Sequence, residues 1–297
     1  KTTLEDDATI VEILFPANED NAQYALHGWA AAAGVDPTAV PGPNTVWELA
    51  AGDVLSVGKP VTLRWDNGAG LAFSKEIAID DNFMFTITQS VENTGETTAS
   101  VAPYAVLARQ GIPPDLKNFF ILHEGIVAMA DGEYSETNWK DMPKFEYNQR
   151  AGARTEEKNV TENGWIGFTD HFWMSVLIPS QGTAFKAVAK YDERRDIYQT
   201  EAVSPVQTVA PGQSISNTSQ FFAGAKEWAV LKEYEKAGVY NFIDAIDWGW
   251  FSFLTKPIFW LLHKLNLIIG NMGIAIICLT FLIKAVLFPL AYKSNVS

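Results

Sequence analysis

The sequence predicts a mainly β protein, an antiparallel sandwich followed by an amphipathic helix and a membrane-spanning helix. Before Trp248, strand-like apolar runs follow one another without helices between them, which favours antiparallel sheets over a parallel α/β fold. After it, apolar residues first recur at helical spacing and then become nearly continuous from Ile268 to Leu290. A continuous run of this length is typical of a segment that crosses a membrane.

Alternation of apolar and polar residues predicts roughly a dozen strands between Leu4 and Phe222. Asp66-Asn67-Gly68 lies between two of these runs and predicts a tight hairpin, because asparagine and glycine tolerate the positive φ of such turns. We expect the strands to form one domain over residues 1–224. The clearest of them are residues 8–15, 60–65, 71–79, 83–92, 102–110, 119–128, 173–178, 185–191 and 214–222.

A short helix is predicted over residues 225–237. Apolar residues recur there at every third position, and Gly238 is a typical helix stop. The recurring residues are Trp228, Leu231 and Tyr234. We interpret residues 225–247 as a helical linker that leads out of the β-domain.

Residues 248–267 are predicted to form an amphipathic helix. Apolar residues recur there at spacings of three and four, and polar residues gather on the other side, which is the pattern of a helix lying in the membrane interface. A surface helix packed on the β-domain is the alternative, and the membrane span that follows favours the interface. The residues expected to face the membrane are Trp250, Phe253, Leu254, Ile258 and Leu261.

Residues 268–292 are predicted to span the membrane, and residues 293–297 to begin a cytoplasmic segment. At about 1.5 Å per residue, the apolar run is long enough to cross the hydrocarbon core. A buried core helix is the alternative, which the length of the run disfavours. The acidic domain before the span and Lys293 after it place the β-domain outside the cytoplasm by the positive-inside rule.

One lysine lies inside the apolar run. A charged side chain there costs up to about 2.5 to 3.5 kcal/mol on membrane-insertion scales. Either Lys284 reaches the cytoplasmic interface by snorkelling, or it faces water inside the protein and is functional. Thr280 lies one turn earlier on the same helical face and either adds a hydroxyl to a polar wall or packs against a neighbouring helix.

Charge and cysteine content exclude several kinds of partner and site. The chain carries a formal net charge of −13, and the acidic excess lies in residues 1–240, so we expect no binding to nucleic acid. Cys278 is the only cysteine, which excludes an internal disulfide and multi-cysteine metal sites. Neither a histidine metal spacing nor a nucleotide-binding motif occurs. We predict no metal and no cofactor.

A catalytic role is not predicted. A carbohydrate enzyme needs an acid and a base that face one cleft, whereas the neighbours in His123-Glu124 and Asp170-His171 would point to opposite faces of a strand. A triad of Asp170, His171 and Ser175 lacks the nucleophile-elbow sequence around its serine. We expect ordinary turn or surface roles for these residues and no catalytic residue in the chain.

Several short motifs between Asp247 and Leu290 occur in an informative order. They are Asp247-Trp248-Gly249-Trp250-Phe251, Lys256-Pro257-Ile258-Phe259, Gly270-Asn271-Met272-Gly273, Thr280-Phe281-Leu282-Ile283-Lys284 and Phe288-Pro289-Leu290. In order and spacing they resemble the start of the core shared by YidC-type membrane-protein insertases. Upstream, residues 61–71, 164–168 and 177–179 resemble the periplasmic domain of Gram-negative members of that family.

The resemblance implies a fold, a location and a site. The β-domain would be a mutarotase-like antiparallel β-supersandwich in the periplasm, and the span would be the first helix of a multi-pass core in the bacterial inner membrane. In this family a hydrophilic groove carries one basic residue on that helix, and Lys284 falls at its position. Many members have arginine there, and lysine keeps the charge but loses arginine's bidentate hydrogen bonding. Thr280 would line the same groove.

The resemblance also implies a function. We expect an insertase and chaperone that helps inner-membrane proteins insert and fold, alone or with the Sec translocon; its partners would be nascent membrane proteins, Sec components and the lipid bilayer. The alternative is a membrane-anchored β-sandwich that binds a glycan or a protein. A plain anchor gains nothing from an intramembrane charge, so Lys284 distinguishes the two. Because the chain starts at Lys1 without an initiating methionine, we expect it to be a fragment.

Overall fold

The chain divides into two compact units in a computed structural model. The structure describes residues 11–17, 19–114, 116, 122–249 and 252–296. A β-unit extends to Ile246, and a helical unit starts at Asp247. Antiparallel sheets followed by helices confirm the predicted mainly β fold class.

The β-unit contains sixteen strands and one α-helix in its described part. The strands are β1 (Gln23–Ala31), β2 (Glu48–Ala51), β3 (Val61–Asp66), β4 (Leu71–Ile79), β5 (Met84–Asn93), β6 (Ala99–Gln110), β7 (Gly125–Ala130), β8 (Glu133–Asn138), β9 (Tyr147–Asn148), β10 (Ala153–Val160), β11 (Gly164–Thr169), β12 (Trp173–Pro179), β13 (Phe185–Asp192), β14 (Ile197–Val203), β15 (Gln207–Val209) and β16 (Ser214–Ala225). The helix is α1 (Trp228–Lys236).

Two antiparallel sheets form a sandwich. Sheet A has the order β1-β6-β14-β13-β10-β9, with β15 also paired to β6, and sheet B has the order β2-β3-β4-β5-β16-β12-β11-β7-β8. Their facing sides share one apolar core, which includes Leu107 and Tyr198 of sheet A and Leu177 and Phe221 of sheet B. This is the arrangement expected when alternate residues of every strand point inward.

The predicted hairpin joins β3 to β4. Gly68 has a φ of 67°, and its backbone N–H donates to the side chain of Asp66 at 2.8 Å. The Asn67 carboxamide oxygen accepts a further bond from the Leu71 N–H at 3.0 Å. The turn is therefore held by its own side chains, which explains why it is predictable from local sequence.

The strand predicted over residues 8–15 is wrong in its described part. Residues 11–14 are not in a strand, and Phe15 makes only an isolated bridge to Gln23; residues 8–10 lie outside the described residues. Ile13 packs against the sandwich core without joining a ladder. In the described part of the strand predicted over 119–128, residues 122–124 are not in a strand and β7 starts at Gly125; residues 119–121 lie outside the described residues.

The segment predicted as a linker packs on the outer face of sheet B. Leu231 of α1 and Phe242 of the following 3-10 helix (Phe242–Ala245) are fully buried. They belong to a second apolar core with Trp165 and Phe222 of the sheet. Residues up to Ile246 are therefore part of the β-unit, since their aromatic side chains cover an apolar sheet face.

The helical unit contains α2 (Ser252–Ile269) and α3 (Met272–Val296). Gly270 ends α2 with a φ of 71°, a left-handed conformation typical of helix stops. The Asn271 side chain accepts the Ile274 N–H at 3.1 Å and caps α3. The helix predicted to start at Ile268 therefore starts at Met272, because capping geometry rather than hydropathy determines its first turn.

Candidate functional site

Helix α3 is long and apolar enough to cross a membrane. The window Met272–Pro289 has a mean hydropathy of 2.3, and 11% of it is buried in the structure. Ala275 and Leu279, one turn apart, are its buried side chains in the described part, and α3 contacts α2. These two residues mark the covered face of α3.

The structure places Thr280 and Lys284 together on the opposite side of α3. At about 100° per residue, Lys284 lies about 160° and Thr280 about 120° around the helix from the covered face. Both residues are exposed. The Thr280 hydroxyl donates to the Ile276 carbonyl within the helix at 2.9 Å. The uncovered face of α3 therefore carries a cation with a polar side chain one turn away.

The predicted membrane-facing residues of α2 are exposed or half-buried where the structure describes them. Phe253 is 75% and Leu254 52% exposed, whereas Ile258 and Leu261 are half-buried. Trp250 lies outside the described residues. The exposed aromatic and aliphatic side chains leave α2 with an uncovered apolar surface.

The motif before α2 folds as a turn. The Asp247 side chain accepts the Gly249 N–H at 2.8 Å, and the Thr255 hydroxyl donates to the Trp248 carbonyl at 2.9 Å. The Lys256 ammonium lies 5.9 Å from the centre of the Trp248 ring, within range of a cation–π contact. Trp248 and Gly249 thus precede the first described helical residue instead of starting the helix.

A second candidate site is a groove of about 370 Å³ in the β-unit. Its floor has one polar residue from each of three strands, Gln23 of β1, Arg109 of β6 and Ser175 of β12. The Arg109 guanidinium donates to the Gln23 carboxamide oxygen at 2.6 Å, and the Gln23 amide donates to the Ser175 hydroxyl at 3.0 Å. This chain of hydrogen bonds joins the two sheets.

Sequence reasoning missed Gln23 and Arg109 as site residues. Their strands pair so that Gln23 is directly opposite Arg109, and Ser175 approaches them from the other sheet. Exposed fractions of 8% for Gln23, 9% for Arg109 and 1% for Ser175 show a buried polar cluster. The one feature of the sequence that could have indicated this site is Arg109, a charged residue near the end of the otherwise largely apolar strand β6. A charged residue in that position is too common to predict a site by itself.

The considered triad is not assembled. One Asp170 carboxylate oxygen accepts the backbone N–H groups of Phe172 and Trp173, both at 2.9 Å, and so shapes the turn between β11 and β12. The Ser175 hydroxyl accepts a bond from Gln23. Asp170 and Ser175 therefore have structural partners of their own.

A half-buried lysine of β4 contacts a backbone carbonyl of β1 in the other sheet. The Lys75 ammonium donates to the His27 carbonyl at 2.6 Å and lies 4.9 Å from the centre of the Trp47 ring. Burial lowers the pKa of Lys75 to about 8. Burial, with the nearby Lys75 charge, lowers the pKa of His27 to about 3, so this histidine is neutral near pH 7.

We expect Lys75→Met to stabilise the β-unit near neutral pH. The folded-state pKa of Lys75, about 8, lies below its ordinary value of 10.5. The folded state therefore binds the ammonium proton less tightly than the unfolded state, and this difference lowers the free energy of unfolding. The destabilisation is complete below pH 8 and decreases as the pH rises from 8 towards 10.5. The predicted gain in unfolding free energy at pH 7 is about 1 to 3 kcal/mol.

Urea unfolding at several pH values checks this prediction. The difference between the Lys75→Met variant and the parent should shrink between pH 8 and 10.5, since the lysine then becomes neutral in the parent. Lys144→Met, at a surface lysine that is 73% exposed, is the matched control and should show no such trend. A loss of stability in Lys75→Met at pH 7 would mean that the contacts with His27 and Trp47 outweigh the burial cost.

Comparison with known proteins identifies the family. The sequence model of the YidC periplasmic domain matches residues 1–261. The chain belongs to this family. The membrane protein insertase YidC of Roseobacter denitrificans is 63% identical over 297 residues, which cover 100% of this chain and 49% of that protein. The YidC insertase of Ruegeria sp. is 58% identical with the same coverage.

This YidC-family chain spans about half the length of the curated relatives it matches. The YidC insertase of Paracoccus denitrificans shows the same relation, with 56% identity over 92% of this chain and 43% of its own length. These relatives are named insertases and not enzymes. The family match ends at residue 261 within α2, so Thr280 and Lys284 lie beyond it, in the part covered by the full-length relatives.

Two solved structures have a weak similarity to this chain. A galactose mutarotase related enzyme from Lactobacillus acidophilus is 10% identical with a TM-score of 0.41, covering 61% of this chain and 71% of that one. A putative aldose 1-epimerase from Escherichia coli K12 is 13% identical with a TM-score of 0.39, covering 60% and 68%. Nothing about activity follows from these similarities.

Proposed function

We propose that this chain is the periplasmic domain of an insertase and chaperone for inner-membrane proteins, followed by the first membrane-spanning helix of the insertase core. The observation that carries the proposal is the exposed Lys284 on the uncovered face of an apolar span. A cation in the span is costly, about 2.5 to 3.5 kcal/mol at the centre of a helix on insertion scales. A polar groove completed by further helices removes much of that cost.

The depth of Lys284 fits a groove that opens towards the cytoplasm. It lies twelve residues after the start of α3 at Met272, which at a rise of about 1.5 Å per residue is about 18 Å along the helix. With a hydrocarbon core of about 30 Å, the lysine lies past the midplane. Lys293 after the span supports a cytoplasmic position for this end of α3.

Lys284 would hold a client segment briefly rather than tightly. Two unit charges 4 Å apart attract by about 4 kcal/mol at an effective dielectric constant near 20. A lysine ammonium is a compact charge without arginine's fork, so it attracts acidic or polar flanks of many geometries. The apolar part of the client then moves into lipid, and the flank is released.

The remaining parts of the proposal concern location and partners. The β-unit lies in the periplasm, α2 lies along the membrane surface with Phe253 and Leu254 towards lipid, and α3 spans the inner membrane. The partners are nascent membrane proteins, lipid and the Sec translocon. The exposed apolar surface of α2 supports the membrane contact, and the names of the relatives support the insertase activity.

Photocrosslinking from position 284 in the full-length protein tests the proposal. We expect crosslinks to a stalled nascent membrane protein that fade once the client is released into lipid. Position 279 on the covered face of α3 is the matched control and should give no client crosslinks. Crosslinks from position 284 to lipid headgroups alone would show a snorkelling lysine and would favour the membrane-anchored binding module.

A further inference from the structure

We propose that one end of sheet B contacts the surface of the lipid bilayer through Phe83 and Phe172. Both residues are on turns, Phe83 between β4 and β5 and Phe172 between β11 and β12. Their side chains are 58% and 61% exposed. The contact goes beyond the proposed function but rests on it, because it requires α2 and α3 to lie in a bilayer.

The two turns lie side by side at one end of the sheet. The Phe83 carbonyl accepts the Ala223 N–H at 3.3 Å, and the Phe172 carbonyl accepts the Lys226 N–H at 2.8 Å. Both turns are therefore attached to the end of β16. Since β16 alone separates β5 from β12 in the sheet, the turns are about 10 Å apart at the usual spacing of about 4.8 Å per strand. One flat surface can contact both rings at once.

An aspartate holds each turn in a fixed conformation. The Asp80 carboxylate accepts the backbone N–H groups of Asn82 and Met84, both at 2.9 Å. The hydroxyl of Tyr234 in α1 also donates to Asp80, and the Asp170 carboxylate accepts two backbone N–H groups in the other turn. Because both turns are already ordered, a contact with their rings costs little conformational entropy.

Phe83 has an unfavourable backbone conformation. Its φ of 67° lies in the left-handed region, which glycine and asparagine tolerate and a bulky side chain rarely adopts. Its ring is mostly exposed, so burial in the β-unit offsets little of this strain. Strain of this kind, retained at an exposed position, indicates a role other than stabilising the fold.

A lipid surface is the partner that fits two separate rings. Only residues 247–251 lie between Ile246, the last residue of the β-unit, and Ser252, the first residue of α2. This segment spans at most about 20 Å when extended. A bilayer that holds α2 is therefore tethered to the β-unit, and a small contact can form at high effective concentration. A free protein partner would need a much larger interface, typically above about 1,000 Å² in total.

Charge determines which lipid fits best. Asp81 and Glu227 are exposed next to the two turns, and the acidic excess of the chain lies in residues 1–240. An anionic surface repels this end of the β-unit. Zwitterionic lipid is therefore the appropriate probe.

Electron paramagnetic resonance of nitroxide labels tests the contact in the full chain, reconstituted in phosphatidylcholine nanodiscs. Cys278→Ser provides the background, and a labelled cysteine replaces Phe83 or Phe172. Collisions with oxygen, which concentrates in lipid, are compared with collisions with a water-soluble nickel chelate. We expect a several-fold higher ratio of oxygen to nickel collisions at both positions than at position 147. Tyr147 is the matched control, because it is an exposed aromatic residue of β9 in sheet A.

A label at position 277 separates failure of this contact from failure of the proposed function. Ile277 is an exposed residue of α3 and should report lipid whether or not the turns do. Ratios at positions 83 and 172 equal to that at 147, with lipid at 277, would overturn the contact alone. Water at position 277 would overturn the span and the contact with it. Protection of positions 83 and 172 from both reagents would indicate a protein partner and would also overturn the contact.

Phe83→Asn tests the strain at this turn. Because asparagine tolerates a positive φ, we expect the urea midpoint of the chain to rise. The oxygen-to-nickel ratio of a label at position 172 should fall, because one of the two contacts is lost. A lower urea midpoint would mean that the Phe83 ring stabilises its own β-unit, and it would overturn the assignment of this ring to lipid.

Discussion

Replacing Lys284 with leucine is expected to reduce client insertion by the full-length protein by about tenfold or more. Among the described side chains on the uncovered face of α3, Lys284 is the only charged one, and leucine removes that charge. Thr280 does not replace it, because its hydroxyl donates to the Ile276 carbonyl within the helix. In the proposed mechanism, acidic client flanks then lose their attraction to the groove wall. Lys284→Arg keeps the charge and should retain most of the insertion activity.

Protease protection of a reconstituted client measures this effect. Leucine makes α3 more apolar, so a loss of activity in Lys284→Leu does not result from failure of the helix to span the membrane. Lys264→Leu removes an exposed lysine from α2 and is the matched control, with insertion expected to stay at the parent level. Parent-level insertion by Lys284→Leu would assign Lys284 to snorkelling and remove the main support for the groove.

Replacing Phe242 with alanine is expected to destabilise the β-unit by about 3 to 5 kcal/mol. The ring is fully buried, and its centre lies 5.7 Å from that of Trp165 and 5.8 Å from that of Phe222, both edge-on. Removing the ring leaves a cavity above sheet B, and the side chains of the sheet cannot move far enough to fill it. The neighbouring Tyr234 would lose a packing partner while keeping its hydroxyl bonds to Asp80.

Urea unfolding followed by near-ultraviolet circular dichroism measures the loss. Phe172→Ala is the matched control, because Phe172 is 61% exposed and the change should cost less than about 1 kcal/mol. An equally small effect of Phe242→Ala would mean that residues 225–247 are an independent linker. The expected large effect would establish that the segment after β16 is part of the folding unit.

Local sequence was sufficient to predict the features that depend only on neighbouring residues. The hairpin at Asp66-Asn67-Gly68 is held by side chains within the turn, and the strand predicted over 71–79 coincides with β4. The apolar run that contains Lys284 predicts a span because hydropathy and length alone decide whether a helix can cross lipid. Family membership was also readable from motif order along the chain.

Strand β1 shows where local sequence was insufficient. Its sequence from Gln23 to Ala31 is rich in alanine and contains glycine, residues that disfavour strands in isolation. Pairing with β6 along its whole length makes it a strand. The reverse occurs at residues 11–14, whose alternating pattern predicts a strand that the tertiary structure does not form.

The sequence by itself determined the mainly β class, the presence of an apolar run long enough to cross a membrane, and the position of Lys284 within that run. Tertiary structure alone decided that residues 225–246 belong to the β-unit, that Lys284 and Thr280 face away from the covered side of α3, and that a groove exists. Gln23 is 86 residues from Arg109 and 152 from Ser175 in sequence. Strand register and the stacking of two sheets bring these side chains together, and neither is encoded in a local pattern.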